Sequence, residues 1–211
     1  MTFNGIPVEA LDFYEDLEAD NTKSFWAKNK SVYENSVRDP LRALADALAA
    51  EFGPAHFFRP YRDVRFAKDK SPYKTQQGVT IGGNYLHISA AGLFVASGYY
   101  RMSPDQIERF RTAVDVEHSG IDLAERVEAV RAKGYVVDGE ALKTRPRGYP
   151  ADHQRLELLR LKSLVGYADY GSPPWLHSAE AAERVATAWR ELAPVSQWLD
   201  DHVGPAQTPP K

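Results

Sequence analysis

The chain has 211 residues, a formal charge of -3 at pH 7, 43% hydrophobic and 26% charged residues. This composition is typical of an ordinary globular protein and excludes the disordered and fibrous classes. The chain contains no cysteine, which excludes disulfides, thiolate metal sites and cysteine nucleophiles. The N-terminal segment lacks a basic start followed by an apolar run, and no stretch approaches about 18 apolar residues, so we expect a cytoplasmic protein with no membrane partner.

The first fifty residues predict three helices. Apolar residues recur at helical spacing from Leu11 to Leu17 and again from Phe25 to Val37. Asp39-Pro40 is expected to interrupt the second run, because the residue before a proline avoids the α region. The third helix follows and is expected to end at Gly53-Pro54.

From residue 57 the period of the apolar residues changes to two, which predicts strands. The stretch from Tyr61 to Ala67 alternates in this way. Tyr85 to Ser89 and Leu93 to Tyr100 are rich in β-branched and aromatic residues, and Ala90-Ala91-Gly92 separates them. These two segments predict a β-hairpin.

The remaining third of the chain mixes helix and strand signals. Ser103-Pro104-Asp105-Gln106 has the composition of a capping box and predicts a helix start. A second helix is expected to end at Lys133-Gly134, and Asp138-Gly139 predicts a tight hairpin within residues 135–143. Residues 152–165 predict a helix, residues 166–170 a short strand, and Pro194 is expected to separate two closing helices.

This element order predicts an α+β fold with a mostly antiparallel sheet. The helices are expected to pack at the N-terminal, middle and C-terminal parts of one domain. We assign residues 1–204 to that domain, because 211 residues can be served by one hydrophobic core. Residues 205–211 are rich in proline and are expected to form a frayed tail.

The charges are distributed unevenly along the chain. Residues 59–74 and residues 143–162 each carry a net charge of +4, so the rest of the chain carries -11. Arginine forks suit phosphate and carboxylate oxygens, and clustered like charges favour a neutralising anion. We therefore hypothesise a basic, tyrosine-containing cleft that binds an anionic small molecule. The candidate anion-binding residues are Arg59, Arg62, Arg65, Lys68, Lys70, Lys74, Arg145, Arg147 and Lys162.

Three other interpretations of the basic segments stay open. The charges can be solvated surface groups, with Asp63 pairing to Arg65. They can form a nucleic-acid-binding stripe, with four aromatic residues available for stacking on bases. They can also dock an acidic patch of a partner protein without any ligand. The aromatic residues of the second interpretation are Tyr61, Phe66, Tyr73 and Tyr149.

The candidate catalytic residues are Asp63, Tyr73 and His153. His153 follows a basic segment at a predicted helix start, where a histidine can act as a general acid or base. His87 is expected to be a structural histidine within a strand. No metal-ligand spacing, phosphate-binding glycine loop or hydrolase serine motif is present, so we predict neither a metal nor another cofactor. Whether the chain is an enzyme and how it oligomerises stay open.

Three long segments resemble those of a known bacterial family. They are FYEDLEADNTKSFWAKNKSVYENSVRDPL, RPYRDVRFAKDKSPYK, and LKTRPRGYPADH followed by LLRLKSL. In this order they are similar to the conserved-hypothetical family called domain-of-unknown-function family 2461. The resemblance extends from about Val8 to Val203. It implies one full-length α+β domain, and it implies no reaction, cofactor or partner.

Overall fold

The computed structural model describes residues 2–65 and 68–207 and has an α+β fold. Its sheet has six strands in the order β1-β2-β3-β4-β6-β5. The pairs β1–β2, β2–β3 and β5–β6 are antiparallel. The predicted α+β class with a mostly antiparallel sheet is confirmed. The strands are β1 (Ala55–Phe57), β2 (Gln76–Ile81), β3 (Asn84–Ser89), β4 (Gly92–Tyr99), β5 (Val136–Asp138) and β6 (Leu164–Gly171).

Helices precede the sheet, lie between its strands and close the chain. A π-helix over Tyr33–Arg38 connects two of them, and a 3₁₀ turn over Pro174–His177 precedes the last. The α-helices are α1 (Glu9–Ala19), α2 (Lys23–Val32), α3 (Asp39–Phe52), α4 (Pro104–Asp115), α5 (Glu117–Ala132), α6 (Leu156–Leu159) and α7 (Glu180–His202). Within the described residues 2–65 and 68–207, no helix is both long enough and apolar enough to cross a membrane.

By its contacts the chain forms two compact units. Unit 1 consists of Met1–Val95 and Asp169–Ala188, and unit 2 consists of Ala96–Ala168 and Trp189–Lys211. In unit 1, α1 and α3 contact strands of the sheet. Leu86 and Ile88 of β3 are buried, whereas Tyr85 and His87 point to the other face and are partly exposed. Helices therefore cover one face of these strands, and the other face keeps access to water.

Unit 2 has its own core, with the indole of Trp198 fully buried. Trp198 Nε1 donates a hydrogen bond to the Ser119 carbonyl oxygen at 3.0 Å. After α7, the carbonyl oxygen of Gly204 accepts from Gln106 at 2.8 Å, and that of Pro205 accepts from Arg109. Residues 208–211 of the predicted tail lie outside the described residues. The prediction of a single domain over residues 1–204 with a frayed tail stays a prediction.

Several helix and strand ends follow the local signals. Ser103 and Gln106 form the predicted capping box at the start of α4. Gly134 follows α5 with a φ of 94°, a conformation that glycine adopts without steric cost. The predicted hairpin is formed by β3 and β4.

Three predicted elements are wrong. The segment from Tyr61 has only an isolated bridge, Tyr61 to Tyr73, and Phe66 and Ala67 lie outside the described residues. Residues 135–143 do not pair with each other, because β5 pairs with β6. The helix predicted over 152–165 is limited to α6, and β6 begins at Leu164.

Two predicted helix breaks at prolines are also wrong. Pro194 lies inside the continuous helix α7. The Asp39-Pro40 step does not interrupt the helix either, because the π-helix runs directly into α3 and places Pro40 in the first turn of α3. A proline is tolerated there, since the first-turn amides have no partner within the helix.

Candidate functional site

The first basic segment is a loop whose two ends are held together. We call residues 59–74 the basic loop. Arg62 N donates to the carbonyl oxygen of Pro72 at 2.9 Å, and Lys74 N donates to that of Pro60 at 2.8 Å. These bonds flank the bridge between Tyr61 and Tyr73. The base of the loop is therefore an antiparallel ladder.

Tyr73 anchors the basic loop to the helices of unit 1. Asn21 Nδ2 donates to the Tyr73 carbonyl oxygen at 3.1 Å, and Tyr73 N donates to Asn21 Oδ1 at 3.1 Å. The Tyr73 ring stacks on Trp26 with centroids 4.2 Å apart and an interplanar angle of 6°. Only 5% of Tyr73 is exposed. The side chain therefore fixes the loop in place, and burial raises the pKa of its hydroxyl.

A second anchor connects the π-helix to the start of the basic loop. The Tyr33 hydroxyl donates to Gln77 Oε1 at 2.6 Å, and Gln77 Nε2 donates to the carbonyl oxygens of Phe58 at 2.8 Å and Gly78 at 2.9 Å. Gln77 is 1% exposed and both ends of its amide are used. A π-helix is rare and recurs at functional sites. Here the π-helix places the Tyr33 hydroxyl so that, through Gln77, it holds Phe58, the residue before Arg59.

Two of the loop arginines are neutralised within the loop. Arg65 forms a two-point contact with Asp63, with Nε–Oδ1 and Nη2–Oδ2 distances of 2.9 and 2.7 Å. The hydrogen bond from Arg65 lowers the pKa of the Asp63 carboxyl. Arg62 forms an ion pair with Asp69, whose pKa is lowered by that pair and by Ser71. These arginines already have anionic partners.

The other loop cations differ in their surroundings. Lys70 Nζ donates to the Val64 carbonyl oxygen at 3.0 Å, and Lys68 is exposed. Lys74 Nζ lies 5.4 Å from the centroid of the Phe58 ring. Burial and the neighbouring Arg59 guanidinium lower the pKa of Lys74. Among the residues that the structure describes, neither Arg59 nor Lys74 forms an ion pair with a carboxylate, although the Arg59 charge contributes to the lowered pKa of Asp63.

The second basic segment, residues 143–162, lies in unit 2. Lys162 forms an ion pair with Glu140, and Arg145 Nη1 donates to the Tyr149 carbonyl oxygen at 2.5 Å. Arg147 is exposed. The two segments thus lie in different units, and a cleft shared between them stays a prediction. Within residues 143–162, most lysine and arginine side chains form hydrogen bonds or ion pairs with carbonyl and carboxylate oxygens of the same chain.

His153 uses both ring nitrogens within unit 2. Its Nδ1 accepts a hydrogen bond from Arg155 N at 3.0 Å. The ring proton is therefore assigned to Nε2, which donates to Asp115 Oδ1 at 3.1 Å. Arg155 also donates from Nε to the Val114 carbonyl oxygen at the end of α4. This arrangement joins α4 to the segment before α6 and favours a structural role. The catalytic roles of Asp63, Tyr73 and His153 stay predictions.

Four aromatic rings lie on the partly exposed sheet face of unit 1. The Tyr85 centroid is 6.2 Å from Phe58, 5.6 Å from His87 and 6.4 Å from Phe94. His87 stacks on Phe94 at 4.9 Å and 14°. We call Phe58, Tyr85, His87 and Phe94 the aromatic face. Phe58, at its edge, is the ring that contacts Lys74.

His87, expected from the sequence to be a structural histidine, belongs to the aromatic face. Its Nδ1 is buried without a hydrogen-bond partner. Burial lowers its pKa to about 4, and the nearby Asp169 carboxylate only partly opposes this shift. The imidazole is therefore neutral at pH 7. In the sequence, Tyr85 and His87 alternate with the apolar Leu86 and Ile88, which is the pattern that places them on the other face of β3. Gly78 lies opposite His87 on β2.

Of the four aromatic residues considered for base stacking, Tyr73 is buried against Trp26. Tyr61 is 51% exposed, and Tyr149 packs edge-on against His153. Phe66 lies outside the described residues. For metal binding, the described parts of the chain contain no group of three or more histidine, aspartate or glutamate side chains that could hold an ion.

A family model described as "Conserved hypothetical protein (DUF2461)" matches residues 9–198, which is most of the chain. The chain belongs to the DUF2461 family. A search of curated proteins finds no match. The membership agrees with the three sequence segments that resemble this family. It assigns no activity, so the function has to be argued from the site.

Proposed function

We propose that this DUF2461 protein binds a small anionic molecule, with a phosphate or carboxylate group, at Arg59 and Lys74 of the basic loop. The observation that carries the proposal is that Lys74 lies over the Phe58 ring, that burial and, to a smaller extent, the Arg59 charge lower the pKa of Lys74, and that among the described residues neither cation forms an ion pair with a carboxylate. The Asp63 carboxylate acts electrostatically on Arg59, but its hydrogen bonds come from Arg65. Two like charges repel each other, and a bound anion removes that repulsion. The cysteine-free composition leads us to place this binding in the cytoplasm.

The surroundings of the pair support a fixed site. Phe58 is held through its carbonyl oxygen by Gln77, and Lys74 N is bonded to Pro60. The cation over the Phe58 ring is also stabilised by the ring's quadrupole. Because both ends of the loop are anchored, little conformational entropy is lost when an anion binds between Arg59 and Lys74.

Isothermal titration calorimetry with inorganic phosphate at low ionic strength tests the proposal. We expect saturable binding to one site. Arg59→Gln and Lys74→Gln should each weaken it by about tenfold or more, because a hydrogen bond to a charged group contributes about 1.5–3 kcal/mol.

Lys70→Gln is the matched control, since it removes one positive charge from the same loop at a residue bonded to Val64. We expect this variant to bind phosphate within about twofold of the wild type, because Lys70 is exposed to water, whose high dielectric constant weakens its interaction with an anion that it does not contact. Equal losses in all three variants would mean that only the net charge of the loop matters. Absence of any phosphate binding would also contradict the proposal.

A further inference from the structure

A serine and a histidine form a hydrogen-bonded pair where the chain leaves the sheet. Ser172 directly follows β6, and His177 is the last residue of the 3₁₀ turn over Pro174–His177. The turn brings the two side chains together, with Ser172 Oγ 3.0 Å from His177 Nε2. Both residues belong to unit 1, and neither is part of the basic loop or of the aromatic face. A hydroxyl within hydrogen-bond reach of an imidazole is the arrangement of a nucleophile and its general base.

The backbone fixes which imidazole nitrogen carries the proton. His177 Nδ1 lies 2.7 Å from the Ile6 carbonyl oxygen, which can only accept a hydrogen bond. In the neutral ring Nδ1 is therefore assigned as the donor, and Nε2 keeps its lone pair towards Ser172. The Ser172 hydroxyl donates to that lone pair. The ring is thus in the tautomer that can take a proton from the serine.

The Ile6 carbonyl is held firmly against the 3₁₀ turn. Ile6 is fully buried, and its amide donates to the Leu176 carbonyl oxygen at 2.9 Å. Gly5 permits this close approach, because its φ is 114° and a Cβ there would lie 2.3 Å from the His177 carbonyl carbon. The imidazole is therefore oriented before any substrate binds, as an efficient general base requires.

The serine end of the pair is constrained and accessible. Gly92 of β4 packs on the backbone just before Ser172, since a Cβ at Gly92 would lie 2.0 Å from the Gly171 carbonyl oxygen. The two residues after the serine are prolines, whose rings fix φ. Ser172 is exposed, and His177 is half-buried. A carbonyl compound from solution can therefore reach the hydroxyl, while the base is partly shielded from water.

We propose that Ser172 is a catalytic nucleophile and His177 its general base, in an acyl-transfer site for small carboxylic esters. His177 Nε2 takes the proton from the serine as Oγ bonds to the ester carbonyl carbon. The proton then passes to the departing alcohol as the ester C–O bond breaks. A water molecule attacks the acyl group in the same way, which releases a carboxylic acid and restores the serine.

The group that orients the histidine favours reactive esters as substrates. In the Ser-His-Asp arrangement a carboxylate orients the histidine and stabilises its charged form. Here the Ile6 carbonyl orients the ring with a dipole in place of a full charge. Because the imidazolium is stabilised less, we expect turnover of esters with good leaving groups and not of amides. Ser172 lies in no GxSxG motif, so the sequence did not indicate the pair.

Incubation with p-nitrophenyl acetate tests the reaction, with mass spectrometry locating the transferred acetyl group. We expect an acetyl group on Ser172. Ser172→Ala and His177→Gln should each slow the release of p-nitrophenol by about tenfold or more, since a positioned general base contributes about 10²–10⁴-fold. Ser178→Ala is the matched control, because Ser178 Oγ in the same segment donates to the Trp175 carbonyl oxygen. It should keep both the acetyl group and the rate.

The absence of cysteine from the chain permits a second measurement that does not depend on ester turnover. Ser172→Cys introduces a single thiol, whose alkylation by iodoacetamide follows its thiolate fraction. With the imidazole beside it, this thiol should react about fivefold faster at pH 6.5 than the same thiol in Ser172→Cys/His177→Gln. The advantage should vanish near pH 9.5, where an ordinary thiol is also ionised. A change in exposure alone would alter the rates equally at every pH.

Two results would overturn the proposal. One is a wild-type protein that carries no acetyl group on Ser172 after incubation, whether or not other side chains are acetylated. The other is a pair of parallel pH profiles for the two thiol variants, which would mean that His177 does not take the proton. Either result leaves the anion site intact, because the two sites share no residue.

Discussion

His87 should make the stability of the protein depend on pH. Its pKa in the folded state is about 4, below the ordinary value of 6.5, because burial disfavours the charged imidazole. The unfolded state therefore binds more protons between these two values, and the stabilisation present above pH 6.5 is lost as the pH falls towards 4. The full difference between these two pKa values corresponds to a loss of about 2 kcal/mol in the free energy of unfolding at pH 5. Because the ring is partly exposed and water screens its charge, we expect about 1 kcal/mol.

The assay is urea unfolding of the wild type and His87→Phe at pH 7.5, 6.5, 5.5 and 5.0. Phenylalanine keeps a ring against Phe94 and cannot be protonated. The wild type should lose about 1 kcal/mol more than the variant between pH 7.5 and 5.0. His118→Gln, at an exposed position, should retain the wild-type slope. Parallel pH profiles for the wild type and His87→Phe would refute the reasoning.

Three further predictions concern the anchors of unit 1. Gly82→Ala should lower the free energy of unfolding by about 3 kcal/mol or more, because the φ of Gly82 is 53° and a Cβ there would overlap the Phe52 carbonyl oxygen. Gly83→Ala, where a Cβ would meet open space, should lower it by only about 1–2 kcal/mol; thermal unfolding measures both. Asn21→Ala should cost about 2 kcal/mol in urea unfolding, since it removes both hydrogen bonds to the Tyr73 backbone. Tyr33→Phe should lower the unfolding free energy by about 1–2 kcal/mol, because it leaves Gln77 Oε1 without its donor. Equal costs for the two glycine variants, or unchanged stability in either of the others, would contradict the corresponding contact.

Local signals were enough to predict the elements whose backbone hydrogen bonds form between residues close together in the sequence. The capping box at Ser103 and the glycine after α5 each specify a helix end within a few residues. The hairpin of β3 and β4 likewise needs only a short turn and two apolar, β-branched segments. The α+β class followed from the order of such elements.

The errors arose where distant parts of the chain decide the structure. β5 pairs with β6, which begins 26 residues after β5 ends, so the Asp138-Gly139 signal did not produce a local hairpin. Pro194 stays within α7 although proline removes a backbone donor, and its carbonyl oxygen accepts from Arg126 at 3.0 Å. No spacing rule in the sequence predicts the pairing of β5 with β6 or the contact of Arg126 with Pro194.

For the site, the sequence identified the basic loop but could not rank its cations. Arg62 and Arg65 form ion pairs with Asp69 and Asp63, whereas Arg59 forms none among the described residues. Composition predicts a net charge and not which charges are neutralised. The aromatic face was equally hidden, because Phe58 and Phe94 become neighbours of Tyr85 only through strand pairing.

The most direct test of the anion site is the pKa of the Lys74 ammonium, measured by NMR of its side chain with and without inorganic phosphate. In the free protein, burial and Arg59 hold this pKa below its ordinary value of 10.5. A phosphate bound between the two cations should raise it, because a nearby negative charge favours the protonated amine. The side-chain NMR signals of Lys70 should stay unchanged in the same phosphate titration. A Lys74 pKa that saturating phosphate does not raise would contradict the proposed site.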